Sequence, residues 1–349
     1  MLKADQFADD KILCHPENIS EWYHTGDTSP VTYELDVTNV CNHKCPECFG
    51  YMNRLNNPIT LNINFIKSII EQISSFEGKA ITFTGGGEPL VHPRICEAIS
   101  YAHEQDLDVG IITNGGLLTK ESCECITEHC KWIRISLDAG SAAQYTIRHG
   151  MPESEFKEVL HNISTLVKIK ESMGSQVSIG AGYLTPGSME DMEAFTIICQ
   201  DLGVNYVQFR PLLIKYNQCD ILYDESKSIE SIQTLTDKYS SPEFNVLCSK
   251  HKYESITSNR AYGKCYGHHF TTAISADGKM YVCCHLKGID KYALGDLNNS
   301  TIKEIWGSDQ RLFAYDNIAL SECPLHCRCD SFNKILWNIK QIRKDVNFL

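Results

Sequence analysis

The chain has 349 residues, 42% of them hydrophobic, enough for one large domain plus a smaller one. A formal net charge of −12 and a pI near 5.5 argue against a nucleic-acid grip, which needs a basic stripe. No apolar run approaches a membrane span and no signal-peptide core precedes the first element; with seventeen cysteines grouped at short spacings in a long chain, a reducing cytoplasm is the expected compartment.

Taken in order, residues 1–30 are polar until Trp22, Tyr23 and His24, and read as an N-terminal extension covering one end of the fold. Tyr33–Thr38 alternates like a strand and runs into a loop carrying Cys41, His43, Cys45, Pro46, Glu47 and Cys48. Ile63, Ile66, Ile69, Ile70 and Ile73 recur at helical spacing, giving an amphipathic helix over 62–76. A strand over 79–84 leads straight into Gly85-Gly86-Gly87-Glu88-Pro89, followed by a helix from Pro93 to Gln105 with Pro93 in its first turn. The unit then repeats: strand Val109–Thr113 and helix 119–130, strand Trp132–Leu137 and helix 153–171, strand Gln176–Leu184 and helix 188–202, with Tyr206–Arg210 closing the series.

Six such repeats imply a parallel sheet with right-handed crossovers and chemistry at the carboxyl ends of the strands. Both motifs, and Asn114, Asp138 and Arg210, fall at those ends. Residues 212–264 read as a bridge containing a helix at Ser228–Tyr239 and a strand at Val246–Tyr253. Beyond it, Thr272–Ser275 and Lys279–Val282 flank Asp277-Gly278 as a hairpin, and a helix near 331–345 ends the pattern.

Three thiolates as close as Cys41, Cys45 and Cys48 wrap one face of a metal centre. Structural zinc takes four ligands, usually as two separated pairs, and no fourth lies nearby; an iron–sulfur cubane holds with one iron left open. The Cys-x3-Cys-x2-Cys spacing resembles the signature of the radical S-adenosylmethionine (SAM) enzymes. The turn Gly85, Gly86, Gly87, Glu88 resembles that family's second signature, which lies against the methionyl amino group of SAM. What the resemblance implies is an α/β fold, a partial (β/α)6 TIM-like barrel over 31–211, with a 4Fe–4S cluster on Cys41, Cys45 and Cys48 whose open iron is chelated by SAM. One electron then cleaves SAM to methionine and a 5′-deoxyadenosyl radical, which abstracts hydrogen from carbon. By the same resemblance Asn114, Ser136 and Asp138 line the SAM pocket, while Arg148 and Arg210 face the SAM carboxylate or an anionic substrate group. Relatives place an aromatic residue before the third cysteine, where it packs near adenine; Glu47 stands there, and the aromatics Phe49 and Tyr51 follow instead, with Phe49 the candidate for the adenine contact.

Cys265, then Gly278 followed by Cys283 after four residues, with Leu294-Gly295-Asp296-Leu297 and Glu304-Ile305-Trp306, resembles the twitch and SPASM extensions that hold auxiliary clusters. A small C-terminal α+β Fe–S cluster extension over 265–349 is therefore expected. Two auxiliary clusters would need about eight ligands. Six cysteines favour one auxiliary 4Fe–4S cluster on Cys265, Cys283, Cys323 and Cys327, with Cys329 or Cys284 as substitutes and a four-Cys zinc site as the rival. Cys123, Ile126 and Cys130 share a helical face and read as packing, Cys14, Cys96 and Cys199 as structural, and His285 as a surface residue.

For outcome, the resemblance implies either oxidation, with the auxiliary cluster taking an electron, or epimerisation, with Cys219, Cys248 or Cys284 returning hydrogen. A flavodoxin- or ferredoxin-type donor is the expected electron source. The short N-terminal extension leaves no room for a leader-peptide-binding domain, which favours a polar small-molecule substrate (a sugar, cyclitol or nucleoside) over a peptide. A non-catalytic Fe–S or zinc-binding interaction protein would need neither signature.

Overall fold

A computed structural model of the chain describes residues 8, 10–48, 57–212, 225–257, 260–341 and 347. The first half runs α1 (Pro16–Thr25), β1 (Thr32–Leu35), α2 (Ile63–Ser75), β2 (Ala80–Phe83), α3 (Ile95–Glu104), β3 (Asp108–Thr113), α4 (Lys120–His129), β4 (Cys130–Ser136), α5 (Ala142–His149) and α6 (Glu153–Met173). The second runs β5 (Ser178–Thr185), α7 (Met189–Asp201), β6 (Tyr206–Pro211), α8 (Glu225–Tyr239), β7 (Asn245–Cys248) and α9 (Lys250–Thr257). The C-terminal segment adds β8 (Thr271–Ile274), β9 (Lys279–Tyr281), β10 (Ala293–Asp296), α10 (Ile302–Trp306), α11 (Asp309–Asp316) and α12 (Asp330–Lys340).

One sheet carries all ten strands in the order β10-β9-β8-β1-β2-β3-β4-β5-β6-β7. From β8 to β7 every pairing is parallel; β9 and β10 join antiparallel. This is the largely parallel sheet of a partial α/β barrel. Tyr33, Leu35, Ile81, Phe83, Ile111, Ile133, Ile135, Ile179, Val207 and Phe209 point outward and are buried under the helices. Burial of each such side chain contributes about 1.5–3 kcal/mol. The inward positions differ in character. Glycines at 110 and 180 make room for the Trp132 and Tyr206 rings, and above them stand Glu34, Arg134, Gln208 and Arg210. Filled α/β barrels carry branched aliphatic residues at such positions, so a polar lumen marks a site rather than a core.

Several boundaries differ from the sequence reading. Pro93 lies outside α3, which starts at Ile95 with Arg94 as its N-cap. The short helix α5, capped by the Ser141 side chain and ended by Gly150 at φ 63°, was absent from the pattern of long repeats. Tyr206–Arg210 does not close the series: β7 pairs with β6 on one side and β8 with β1 on the other. The expected strand Val246–Tyr253 ends at Cys248, because Lys250 begins helix α9. The Asp277-Gly278 hairpin forms, with Gly278 at φ 84°.

The N-terminal extension packs on the C-terminal segment and on the residues that lead into β1 and β8. Trp22, 1% exposed, sits in a small core with Ile12, Val31, Phe270 and Leu336. Asp27 receives Arg311 Nη1 and Nη2, each at 2.6 Å, and lies 2.7 Å from His269 Nδ1.

Candidate functional site

The two sequence motifs meet at the carboxyl ends of β1 and β2. Glu88 donates its backbone N–H to Val40 O at 2.9 Å, fixing the glycine turn to the residue before Cys41. A side chain at Gly87 would collide with the Val40 carbonyl and lie 2.7 Å from the Val40 nitrogen, so only glycine lets the two segments approach. Gly85, at φ 129°, faces the Asp36 carboxylate in the same way, and Gly86 donates its N–H to that carboxylate. The glycines thus serve the joint between the motifs.

Glu88 is buried and its carboxylate is occupied by the protein. Oε1 accepts from Thr113 Oγ1 (2.7 Å) and Leu90 N (3.0 Å), and Oε2 accepts from Asn114 N (2.7 Å). Burial raises its pKa despite these three donors. The acid that the sequence sets against an ammonium group also holds the end of β3. Asn114 passes the link on: its Nδ2 reaches Asn42 Oδ1 at 2.9 Å and Cys41 Sγ at 3.9 Å.

Behind the cysteine loop stands a group that the sequence reading missed. His43, Cys45 and His149 bring their donor atoms within 4.8 Å of one another. His149 Nε2 is 3.0 Å from Leu137 O and donates there, which leaves Nδ1 as the acceptor facing Cys45 Sγ at 3.5 Å. Burial lowers the His149 pKa, keeping the ring neutral. His43 Nε2 lies 3.3 Å from Glu155 Oε1. His43 was visible inside the motif, but its partners lie 106 and 112 residues away.

Arg148, expected at SAM, is engaged with protein. It pairs with Glu47 Oε2 at 2.8 Å and donates to Leu184 O and Pro186 O, tying the cysteine loop to the end of β5. This pair accounts for Glu47 at the position relatives give to an aromatic residue. Asp138, at φ 52°, accepts from Leu184 N at 2.7 Å. Ser136 ends β4 opposite Gly182, on the inward row. Phe49 and Cys219 lie outside the described residues.

The six C-terminal cysteines converge, and no disulfide forms among the described residues. Burial pushes Cys265 up to about 12, with Cys327 and Cys323 adding to it; Cys323 also rises to about 12, by burial and then Cys327. Cys283 rises through burial and the proximity of Cys327, Cys265 and Cys323. Yet backbone N–H groups point at these sulfurs: His268 and Gly267 at Cys265, Leu286 at Cys283 and Cys329 at Cys327 (3.4 Å). Buried thiols that burden one another while receiving N–H donors suit thiolates bound to a metal cluster. Cys329 is hydrogen-bonded to Cys327, while Cys284 lies towards Lys287 and Lys252. Cys248 aligns with outward-facing Phe209 and packs against the core, so the structure does not bring it to the lumen.

The C-terminal segment roofs the barrel through two ion pairs, Lys287 with Asp36 and Arg328 with Glu34. His285 is half-buried, not a surface residue, and accepts from Arg328 N at 3.3 Å. Cys123 and Cys130 are buried in the core, as packing residues would be.

Residues 35–195 match the model of the radical SAM superfamily, and residues 265–330 match SPASM, an iron–sulfur cluster-binding domain. The chain carries a radical SAM domain followed by a SPASM iron–sulfur domain. Its two domains bring a SAM-binding 4Fe–4S cluster, SAM and an auxiliary cluster. This radical SAM enzyme is 25% identical over 320 residues to a tungsten-containing aldehyde ferredoxin oxidoreductase cofactor-modifying protein of Pyrococcus furiosus, covering 85% of this chain and 88% of the relative. It is 27% identical over 173 residues to an S-adenosylmethionine-dependent nucleotide dehydratase of Selenomonas ruminantium, covering 49% of this chain and 61% of that one. In fold it resembles the Streptococcus suis SuiB structure bound to S-adenosylmethionine, with a TM-score of 0.66 at 16% identity over 97% of this chain and 82% of that one. No helix among the described residues is long and apolar enough to cross a membrane.

Proposed function

We propose that this radical SAM enzyme abstracts hydrogen from a carbon of a polar small molecule held in the barrel lumen, leading to oxidation or epimerisation. The observation that carries the reading is the polar inward face of the barrel, with the Cys41 loop at the strand ends and the six-cysteine segment as its roof. Cys41, Cys45 and Cys48 hold the SAM-binding cluster, with Cys265, Cys283, Cys323 and Cys327 holding one auxiliary cluster. When bound, the first cluster supplies the electron that cleaves SAM to a 5′-deoxyadenosyl radical. The chain's own part is positional. Glu88 and Asn114 brace the cysteine loop, Arg148 locks it to β5, and the roof excludes water from the lumen. Ser136 and Asp138 line the SAM side of that space. Cys284, within electrostatic reach of Cys283, Lys287 and Lys252, is the thiol this reading assigns to return hydrogen in an epimerisation. A flavodoxin- or ferredoxin-type protein supplies the electron.

The test is 5′-deoxyadenosine formation by anaerobically reconstituted protein with SAM and dithionite. Wild type should form it, and the joint Cys41→Ala, Cys45→Ala, Cys48→Ala variant should not while keeping auxiliary iron. Unchanged iron in that variant would remove the cluster assignment. Stimulation of the reaction by a peptide fraction, and not by small molecules, would overturn the substrate assignment.

A further inference from the structure

Strand alternation places Arg134 of β4 and Arg210 of β6 on the same inward face, on either side of β5. Gly182, between them, has no side chain, and a Cβ there would lie 3.7 Å from Arg134 Cδ and 3.8 Å from Arg210 Nη2. The two guanidinium groups therefore share one gap in the barrel wall. Arg134 Nη1 donates to Gln208 Oε1 at 2.9 Å, and Gln208 Nε2 donates to Ser249 Oγ at 3.2 Å. Ser249 introduces helix α9, whose Lys252 adds a third cation. From the roof comes His326, 3% exposed, with neither ring nitrogen hydrogen-bonded. The buried Nε atoms of Arg134 and Arg210 likewise have no partner.

Like charges packed this way repel. Burial and then Arg210 bring Arg134 down to about 9, and burial, Arg210 and Arg134 bring Lys252 down to about 8. Compensating acids are few. Among the described residues, Glu34 is paired with Arg328 and Asp36 with Lys287, which leaves Asp138 as the carboxylate acting on both Arg134 and Arg210. None of Arg134, Arg210 or Lys252 forms an ion pair among the described residues. Arg134 is buried and Arg210 and Lys252 half-buried, and cations drawn from water with so little counter-charge are costly unless something anionic joins them.

We propose that this chamber binds the phosphate group of an anionic small-molecule substrate, through Arg134, Arg210, Lys252 and His326. It rests on the reading of the lumen as the substrate site and names the substrate class. A carboxylate is planar and one guanidinium satisfies it; here β4 and β6 bring two guanidinium groups to one gap, with Lys252 of α9 and His326 of the roof near enough for their charges to interact, an arrangement that suits the several oxygens of a tetrahedral group. The auxiliary-cluster segment supplies one of the four contacts, so the roof also contributes to recognition.

The experiment uses anaerobically reconstituted protein and inorganic pyrophosphate, citrate and SAM as probes in isothermal titration calorimetry. Pyrophosphate should bind more tightly than citrate and should not displace SAM. Arg134→Gln and Arg210→Gln should each weaken pyrophosphate about tenfold or more, with Arg210→Lys recovering part of the loss. Tighter binding of citrate, no binding of pyrophosphate, or unchanged affinity in both neutral variants would overturn the proposal. Displacement of SAM by pyrophosphate would overturn it too, since the cations would then serve the SAM carboxylate. Should a variant fail to fold, the wild-type comparisons decide the matter. Formation of 5′-deoxyadenosine by the wild type, scored separately, keeps failure here distinct from failure of the radical SAM reading.

Discussion

Replacing Glu88 by Gln asks whether this carboxylate braces the site or touches the cofactor. The native group accepts from Thr113 Oγ1 and Leu90 N on one oxygen and from Asn114 N on the other. An amide offers a single acceptor oxygen. If that oxygen faces Thr113 and Leu90, the new NH2 meets the Asn114 N–H; if it is turned over, the NH2 meets the Leu90 N–H. Either way one buried backbone donor loses its acceptor, at a cost of about 1–3 kcal/mol, and the surviving bonds lose their charge assistance at a further cost of about 1 kcal/mol. Glu88→Gln should therefore destabilise the reconstituted protein by about 2–4 kcal/mol, read as a lowered midpoint in anaerobic chemical denaturation. Formation of 5′-deoxyadenosine should fall with it, because Asn114 loses its seat against Asn42 and Cys41. A SAM titration on the same samples supplies the counter-test. A variant of wild-type stability whose SAM affinity drops about tenfold or more would mean that the carboxylate reaches the cofactor, and the reasoning from its three donors would be wrong.

Gly87→Ala should push the cysteine loop away from the turn, costing about 1–3 kcal/mol and lowering core-cluster iron; full iron content after reconstitution would refute the packing argument. For Asp27, burial alone would raise the pKa, but the His269 hydrogen bond and Arg311 bring it to about 2, below its ordinary 3.8. Its stabilising contribution is thus complete above 3.8 and is lost as pH falls towards 2; with the side chain 39% exposed, solvent screening limits it to about 1 kcal/mol. Asp27→Asn should flatten the acid limb of stability against pH in that window, and an unchanged limb would exclude the pair as its source. Reconstituted wild type should hold about eight irons and the Cys265→Ala, Cys283→Ala variant about four, with some 5′-deoxyadenosine formation surviving. Iron analysis near twelve would reveal a second auxiliary site.

The chemistry of this protein was written locally, and its substrate chamber was not. Cys41, Cys45 and Cys48 lie within eight residues, and the Gly85–Glu88 turn follows a readable strand, so both motifs survive as text. The α/β alternation was equally legible, because burial of an outward apolar face imposes a period of two on every strand and 3.6 on every helix. Only the folded chain could show that Glu88 is spent on Thr113, Leu90 and Asn114, or that Arg148 belongs to Glu47. Apart from the local bond to Leu90, those hydrogen bonds cross 25, 26 and 101 residues of sequence, a distance over which spacing carries no signal. Strands near β7 and β8 were legible, but their pairing with β6 and β1 was not: the partner of a four-residue strand is set by its neighbours in the sheet more than by its own residues. Arg134 left a trace, a charge inside a strand otherwise fit for a core. Lys252 and His326 left none, since a cation on a short helix and a histidine among cysteines look alike whether they face solvent or a lumen. What turned them inward was tertiary packing: β7 seats α9 against β6, and the C-terminal segment, held by Asp36 and Glu34, buries His326 within electrostatic reach of Lys252 and Arg210.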